Sequence, residues 1–118
     1  QENKNEYSEL NFDSFNKISD YIEKHIYDKF CLNQLSKMAN INKYGFAKKF
    51  KVSKGMTPMN YIIMRKIFSS KRLINPSSEL TEIAYQYNFT DMAHFSKTFK
   101  RFIGISPKKY QESIIEKS

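Results

Sequence analysis

The sequence predicts an all-α fold of about seven helices, arranged as two helix-turn-helix units joined by a long linker helix. Three observations carry that expectation. Apolar residues recur at steps of three and four along most of the chain, the period of one face of a helix. Alternation at period two, the mark of a half-buried strand, never persists. Residues 46–61, FAKKFKVSKGMTPMNY, align with residues 95–110, FSKTFKRFIGISPKKY, at a constant offset of 49 with seven identities in sixteen columns.

Residues 1–11 are expected to be a flexible tail, and Gln1 as the first residue predicts a fragment of something longer. Phe12, Phe15, Ile18, Ile22 and Ile26 form the stripe of the first helix, and Leu32, Leu35, Met38 and Ala39 that of a short second one. Asn42 is placed to cap a third helix, about 43–53, by accepting from its first free N–H groups. Its apolar positions are Phe46 and Phe50, and Gly55 ends it because glycine takes the left-handed conformation without strain. Thr57 and Pro58 then open the fourth helix as N-cap and first helical residue, and Pro76 forbids its continuation. Leu80, Ile83, Ala84 and Tyr87 mark the fifth, and Phe95 and Phe99 the sixth, about 91–103. Gly104 ends that helix, and Ser106 and Pro107 start the seventh. The expected organisation is therefore a first unit over 12–56, a linker helix over 57–75, and a second unit with a C-terminal helix over 76–118.

Upstream of the sixteen columns the offset becomes 48, matching Leu32 with Leu80, Leu35 with Ile83 and Ile41 with Phe89, so the second copy carries one extra residue in its turn. Asn40 and Asn88 fall where a turn residue needs positive φ, which asparagine tolerates better than most. The apolar residue after each, Ile41 or Phe89, plugs the wedge between helices. A short helix, a tight turn and a second helix make the arrangement whose second helix can enter a major groove.

Charge supports the same direction. The net charge is +8, but residues 1–40 carry five Lys against seven acids, and residues 41–118 fifteen Lys/Arg against five acids. The excess of cations thus belongs to the duplicated region, where it would attract a polyanion. Paired carboxylates, nucleophile constellations and glycine-rich phosphate loops are missing, so an enzyme is poorly supported. Cys31 cannot form an internal disulfide, and with His25 or His94 it shows no metal-ligand spacing; neither a metal nor another cofactor is expected. No apolar run approaches a membrane span, and a reduced, cytoplasmic setting is the simple expectation.

The second copy and its approach, EIAYQYNFTDMAHFSKTFKRFIGISPKKY over 82–110, resembles the signature of the AraC/XylS family of bacterial transcription regulators, and the likeness extends over about residues 30–112. Asn88 departs from the family, which usually has glycine there. The resemblance implies two helix-turn-helix (homeodomain-like) subdomains joined by a long helix, binding double-stranded DNA through two successive major grooves. It places base-reading positions on Tyr44, Ala47 and Lys48 in the first copy and on Met92, Ala93, Ser96 and Lys97 in the second. Lys43 and Lys51, and Lys100 and Arg101, are expected on phosphates, as are Arg65 and Lys66 of the linker helix. Met92, Ala93 and Ser96 are small or apolar, so contact with thymine methyls and DNA shape should matter there.

The family also implies contact with RNA polymerase where a member activates, dimerisation of the full-length protein through a region N-terminal to this one, and a nucleoid-associated place in a bacterial cytoplasm. The fragment itself is expected to be monomeric. An RNA-binding or helical protein-interaction module is the rival, and RNA readers more often expose aromatics for stacking.

Overall fold

A computed structural model describes residues 11–117 of the chain. These residues form seven helices: α1 (Phe12–Lys24), α2 (Leu32–Met38), α3 (Lys43–Lys54), α4 (Pro58–Leu73), α5 (Leu80–Gln86), α6 (Met92–Ile103) and α7 (Pro107–Lys117). No strand occurs among the described residues. The expected tail lies, apart from Asn11, outside them.

The chain packs as two units. Unit 1 holds α1 to α3 and the start of α4, including Lys29–Ile62; unit 2 holds Ile63–Ser118 together with the short segment Ile26–Asp28. The linker helix α4 is divided between the units: its first residues belong to unit 1 and the remainder to unit 2, where Ile67 and Ser70 are fully buried.

Unit 1 closes on aromatic contacts. Phe50 lies 5.7 Å from Phe15 of α1, 5.7 Å from Phe46 and 5.4 Å from Tyr61 of α4, ring centroid to ring centroid. Ile18, Ile22, Leu35 and Ile62 are buried in the same unit. Unit 2 repeats the scheme: Phe95 lies 5.2 Å from Phe89 and 5.7 Å from Phe99, and Phe99 lies 6.0 Å from Tyr110 of α7.

The two turns are equally alike, and their chemistry is local. After α2, Asn40 N–H donates to Lys37 O and Ile41 N–H to Ser36 O; after α5, Asn88 N–H donates to Tyr85 O and Phe89 N–H to Ala84 O. Such paired bonds satisfy carbonyls a helix end would otherwise leave open, and they require one left-handed residue. Asn40 (φ 60°) and Asn88 (φ 66°) are the two non-glycine residues with positive φ among those described. Gly55 and Gly104 end α3 and α6 in the same conformation.

One departure from the sequence pattern organises unit 2. Ile26 fits the stripe of α1, yet that helix stops at Lys24 and His25 caps it through bonds from its N–H to Ile22 O and Tyr21 O. Ile26 is buried in unit 2 instead. The three carbonyls of Ile26–Asp28 are taken by side chains far along the chain: Lys66 Nζ donates to Ile26 O (2.6 Å) and Asp28 O (2.7 Å), and Asn88 Nδ2 to Tyr27 O (2.8 Å). The Tyr27 ring packs 4.8 Å from that of Tyr87, whose hydroxyl meets Ser69 Oγ at 2.7 Å. Gln111 of α7 similarly holds the loop after α4, its Nε2 donating to Asn75 O and Ser78 O.

Replacing Asn40 with glycine removes the left-handed strain and should stabilise the protein by about 1 kcal/mol. Asn88→Gly should come out near neutral, because it also gives up the bond to Tyr27 O, which contributes about 1 kcal/mol. Urea unfolding of the two variants side by side reads the difference; equal gains would mean that this bond contributes nothing.

Candidate nucleic-acid interface

The second helix of each unit shows one face to the core and another to solvent. In α3, Asn42 caps the start by accepting from Gly45 N–H at 2.9 Å. Phe46 and Phe50 are fully buried, which turns Tyr44, Lys48 and Lys51 outward as exposed residues and leaves Lys43 and Ala47 half-buried at the edge. Tyr44 is 73% exposed, and the Lys43 ammonium sits 5.5 Å from its ring centroid.

In α6, Asp91 is the cap and accepts from His94 N–H at 2.8 Å. The acid therefore complements the positive end of the helix dipole. Phe95, Thr98 and Phe99 are buried, and Thr98 Oγ1 donates back to His94 O. Ala93, Lys97, Lys100 and Arg101 are exposed, while Met92 and Ser96 are half-buried. The Arg101 guanidinium lies 4.8 Å from the Phe102 ring. His94 is exposed, with its ring 5.3 Å from that of Phe89.

All seven expected base-reading positions fall on these two helices, three on α3 and four on α6: Tyr44, Lys48, Ala93 and Lys97 are exposed opposite the phenylalanine pairs, while Ala47, Met92 and Ser96 are half-buried at the edge. Lys51, Lys100 and Arg101 lie toward the C-terminal ends, where they also complement the negative pole of each helix. Lys54 stacks its ammonium 4.0 Å from the Phe15 ring centroid and belongs to the packing of unit 1.

Lys66 is a correction. It was expected on a phosphate, but it is only 7% exposed and its ammonium is held by Ile26 O and Asp28 O. Burial of the ammonium pushes its pKa down to about 8, against the opposing pull of the Asp28 carboxylate. The sequence held a signal for this. Lys66 stands four residues after Ile62 and four before Ser70, so it shares their buried row, and a cation in such a row needs carbonyl acceptors. Arg65 beside it is half-buried. Tyr87, on the apolar stripe of α5 by spacing, has its hydroxyl pushed up to about 12 by burial, which outweighs the Ser69 bond.

Among the described residues no group of His, Cys, Asp or Glu is arranged to hold a metal ion, and no helix is long and apolar enough to cross a membrane. Cys31 is exposed.

The profile of a family described as "Helix-turn-helix domain" matches residues 35–113, more than half of the chain. The chain is 33% identical over 95 residues to the "Probable transcriptional regulator LumQ" of Photobacterium leiognathi, covering 80% of this chain and 38% of that protein. In fold it is similar to the DNA-binding domain of AdpA, solved in complex with a target DNA, with a TM-score of 0.74 at 21% identity, over 83% of this chain and 89% of that one. It is also similar to a probable AraC family transcriptional regulator from Rhodopseudomonas palustris, with a TM-score of 0.78 at 19% identity, over 86% and 97% of the two chains. At those identities the two solved structures speak to the fold alone.

Two outcomes are expected at Lys66. Lys66→Met leaves two carbonyls without their donor and should cost about 1–3 kcal/mol of stability in urea unfolding. In the native protein the folded state gives up the Lys66 proton at about 8, while an unfolded lysine keeps it to 10.5. The unfolded state then binds more protons, so this residue makes stability rise with pH inside that window. The rise, measured from pH 8 to 9.5, should be smaller in Lys66→Met; an identical pH profile would contradict the assignment.

Proposed function

The chain belongs to the AraC-type helix-turn-helix family, and on that premise we propose that it is the sequence-specific, double-stranded-DNA-binding part of a bacterial transcription regulator. The observation that carries the proposal is the pair of second helices, each with phenylalanines buried on one side and lysines exposed at the same two columns on the other: Lys48 with Lys97, and Lys51 with Lys100. Each helix enters a major groove. Tyr44, Ala47 and Lys48, and Met92, Ala93, Ser96 and Lys97, meet base edges, where a lysine donates to guanine O6 and N7. Lys43, Lys51, Arg65, Lys100 and Arg101 meet phosphates and set the register. Lys66 has no part in this, being occupied inside unit 2.

The burial of Phe46, Phe50, Phe95 and Phe99 leaves Tyr44 as the exposed phenylalanine or tyrosine ring of α3 and α6, fewer than the two or three stacking rings with which a single-stranded RNA reader holds its bases. The chain spans 38% of the length of LumQ, so a whole regulator has room for other parts. In that fuller protein we place dimerisation and signal input in a region outside this chain, and contact with RNA polymerase where it activates. The isolated domain binds as a monomer, in the cytoplasm where bacterial DNA lies.

Selection from random duplexes should enrich two short motifs; binding of single-stranded RNA as tight as the best duplex would sink the proposal. Affinity should fall steeply with salt, with a logarithmic slope of about −4 to −5 if some five phosphates are neutralised. Lys48→Ala should cost about 1–3 kcal/mol on the selected duplex and relax preference at one position. An equal loss on selected and random DNA would move Lys48 to the phosphates.

A further inference from the structure

The duplication allows the two second helices to be compared column by column. Phe46/Phe95 and Phe50/Phe99 are identical and buried; Lys48/Lys97 and Lys51/Lys100 are identical and exposed. Columns that are the same serve tasks common to both units, a core and a cationic grip. Both ends of the helix differ throughout: the last turn is Val52–Lys54 against Arg101–Ile103, and in the first turn, the end that enters a groove, unit 1 has Asn42, Lys43 and Tyr44 where unit 2 has Asp91, Met92 and Ala93.

That exchange changes the chemistry on offer. The first turn of α3 presents an ammonium and a phenol, both donors, with Tyr44 73% exposed and the Lys43 ammonium 5.5 Å from its ring. The first turn of α6 presents a thioether and a methyl group, with Ala93 exposed and Met92 half-buried. Its single charge is the Asp91 carboxylate, committed to the His94 N–H at 2.8 Å and of the wrong sign for a phosphate. The extra residue of the second copy falls between Phe89 and Asp91, immediately before this turn.

In the major groove the one apolar mark on a base edge is the C5-methyl of thymine. Resting on the duplex-binding reading above, we propose that α6 selects its half-site by methyl contact: Met92 and Ala93 form an apolar edge that recognises thymine methyl groups, whereas α3 reads its half-site by hydrogen bonding. The target is therefore chemically lopsided, with a thymine-rich half and a half less dependent on methyl groups, and it fixes one orientation of the domain on DNA.

The test replaces thymines of the selected duplex by uracil, one at a time, which removes the methyl and leaves the base pair intact. In the α6 half-site each contacted methyl lost should weaken binding about fourfold, the value of one buried methyl or methylene group; in the α3 half-site only a thymine that meets Ala47 should respond. The double variant Met92→Lys, Ala93→Tyr, which gives α6 the residues of α3, should lose the uracil sensitivity while keeping the wild-type melting temperature. Should that variant not fold, Met92→Ala alone should reduce the sensitivity. Uracil that is silent throughout a specifically bound duplex overturns methyl recognition and leaves DNA binding standing. Sensitivity that survives intact in a folded variant overturns the assignment to Met92 and Ala93. If no duplex is enriched at all, both the inference and the reading beneath it fail.

Discussion

The face that each second helix turns to solvent is set by two phenylalanines four residues apart on its other side. A spacing of four puts Phe46 above Phe50, and Phe95 above Phe99, on one stripe of the helix. Burying a side chain of that size contributes about 1.5–3 kcal/mol, several times what an exposed lysine contributes to stability. The phenylalanines therefore win the choice of rotation, and residues 44, 48 and 51, or 93, 97 and 100, point outward as a geometric consequence. Phe50 also fastens α3 to Phe15 of α1 and Tyr61 of α4, so the rotation is fixed against two other helices. The left-handed asparagine in each turn brings the second helix to the first at an angle that lets this burial happen.

The cations show how strongly position overrides residue type. Lys48 and Lys51 lie on the face opposite the phenylalanines and are exposed. Lys66 lies in a buried row of α4, and its ammonium becomes a structural donor to two carbonyls of a segment that forms no helix. Desolvation makes this costly, as the lowered pKa near 8 records, and the bonds offset the cost in part. Without Lys66 and Asn88, the carbonyls of Ile26–Asp28 would each need another partner.

This contrast explains what could be read from the sequence. Caps and turns are local: Asn42, Thr57 and Ser106 each accept from an N–H three residues on, so residue type and spacing reveal them, and Asp91, expected inside the first turn of α6, does the same one residue before it. The positive φ of Asn40 and Asn88 and the left-handed Gly55 and Gly104 were legible for the same reason. Buried phenylalanines followed from periodicity. What was hidden is non-local. The bonds from Lys66 span 40 and 38 residues, and that from Asn88 spans 61. Ile26 continues the stripe of α1 by spacing, so nothing nearby warns that it packs with unit 2. Likewise the amphipathic pattern of α4 records that a face is buried and not which unit each part of it packs in.

Duplication gives one further physical lesson. Two copies of a fold share constraints from packing but need not share them from binding, and each column of the repeat reveals which constraint governs it. The phenylalanine, glycine and proline columns are held by burial and backbone conformation, for which few residues substitute. Thr57/Ser106 differ in type and keep the same bond to the N–H three residues on. Asn42/Asp91 do likewise, so the cap requires only an acceptor and tolerates a change of charge. Lys43/Met92 keeps the size and loses the charge, Tyr44/Ala93 loses the size, and both give up a hydrogen-bond donor. They lie at the start of helices whose cores are matched, so the divergence cannot be compensation for altered packing of the phenylalanines. What differs at those columns is the side-chain chemistry at the start of each helix.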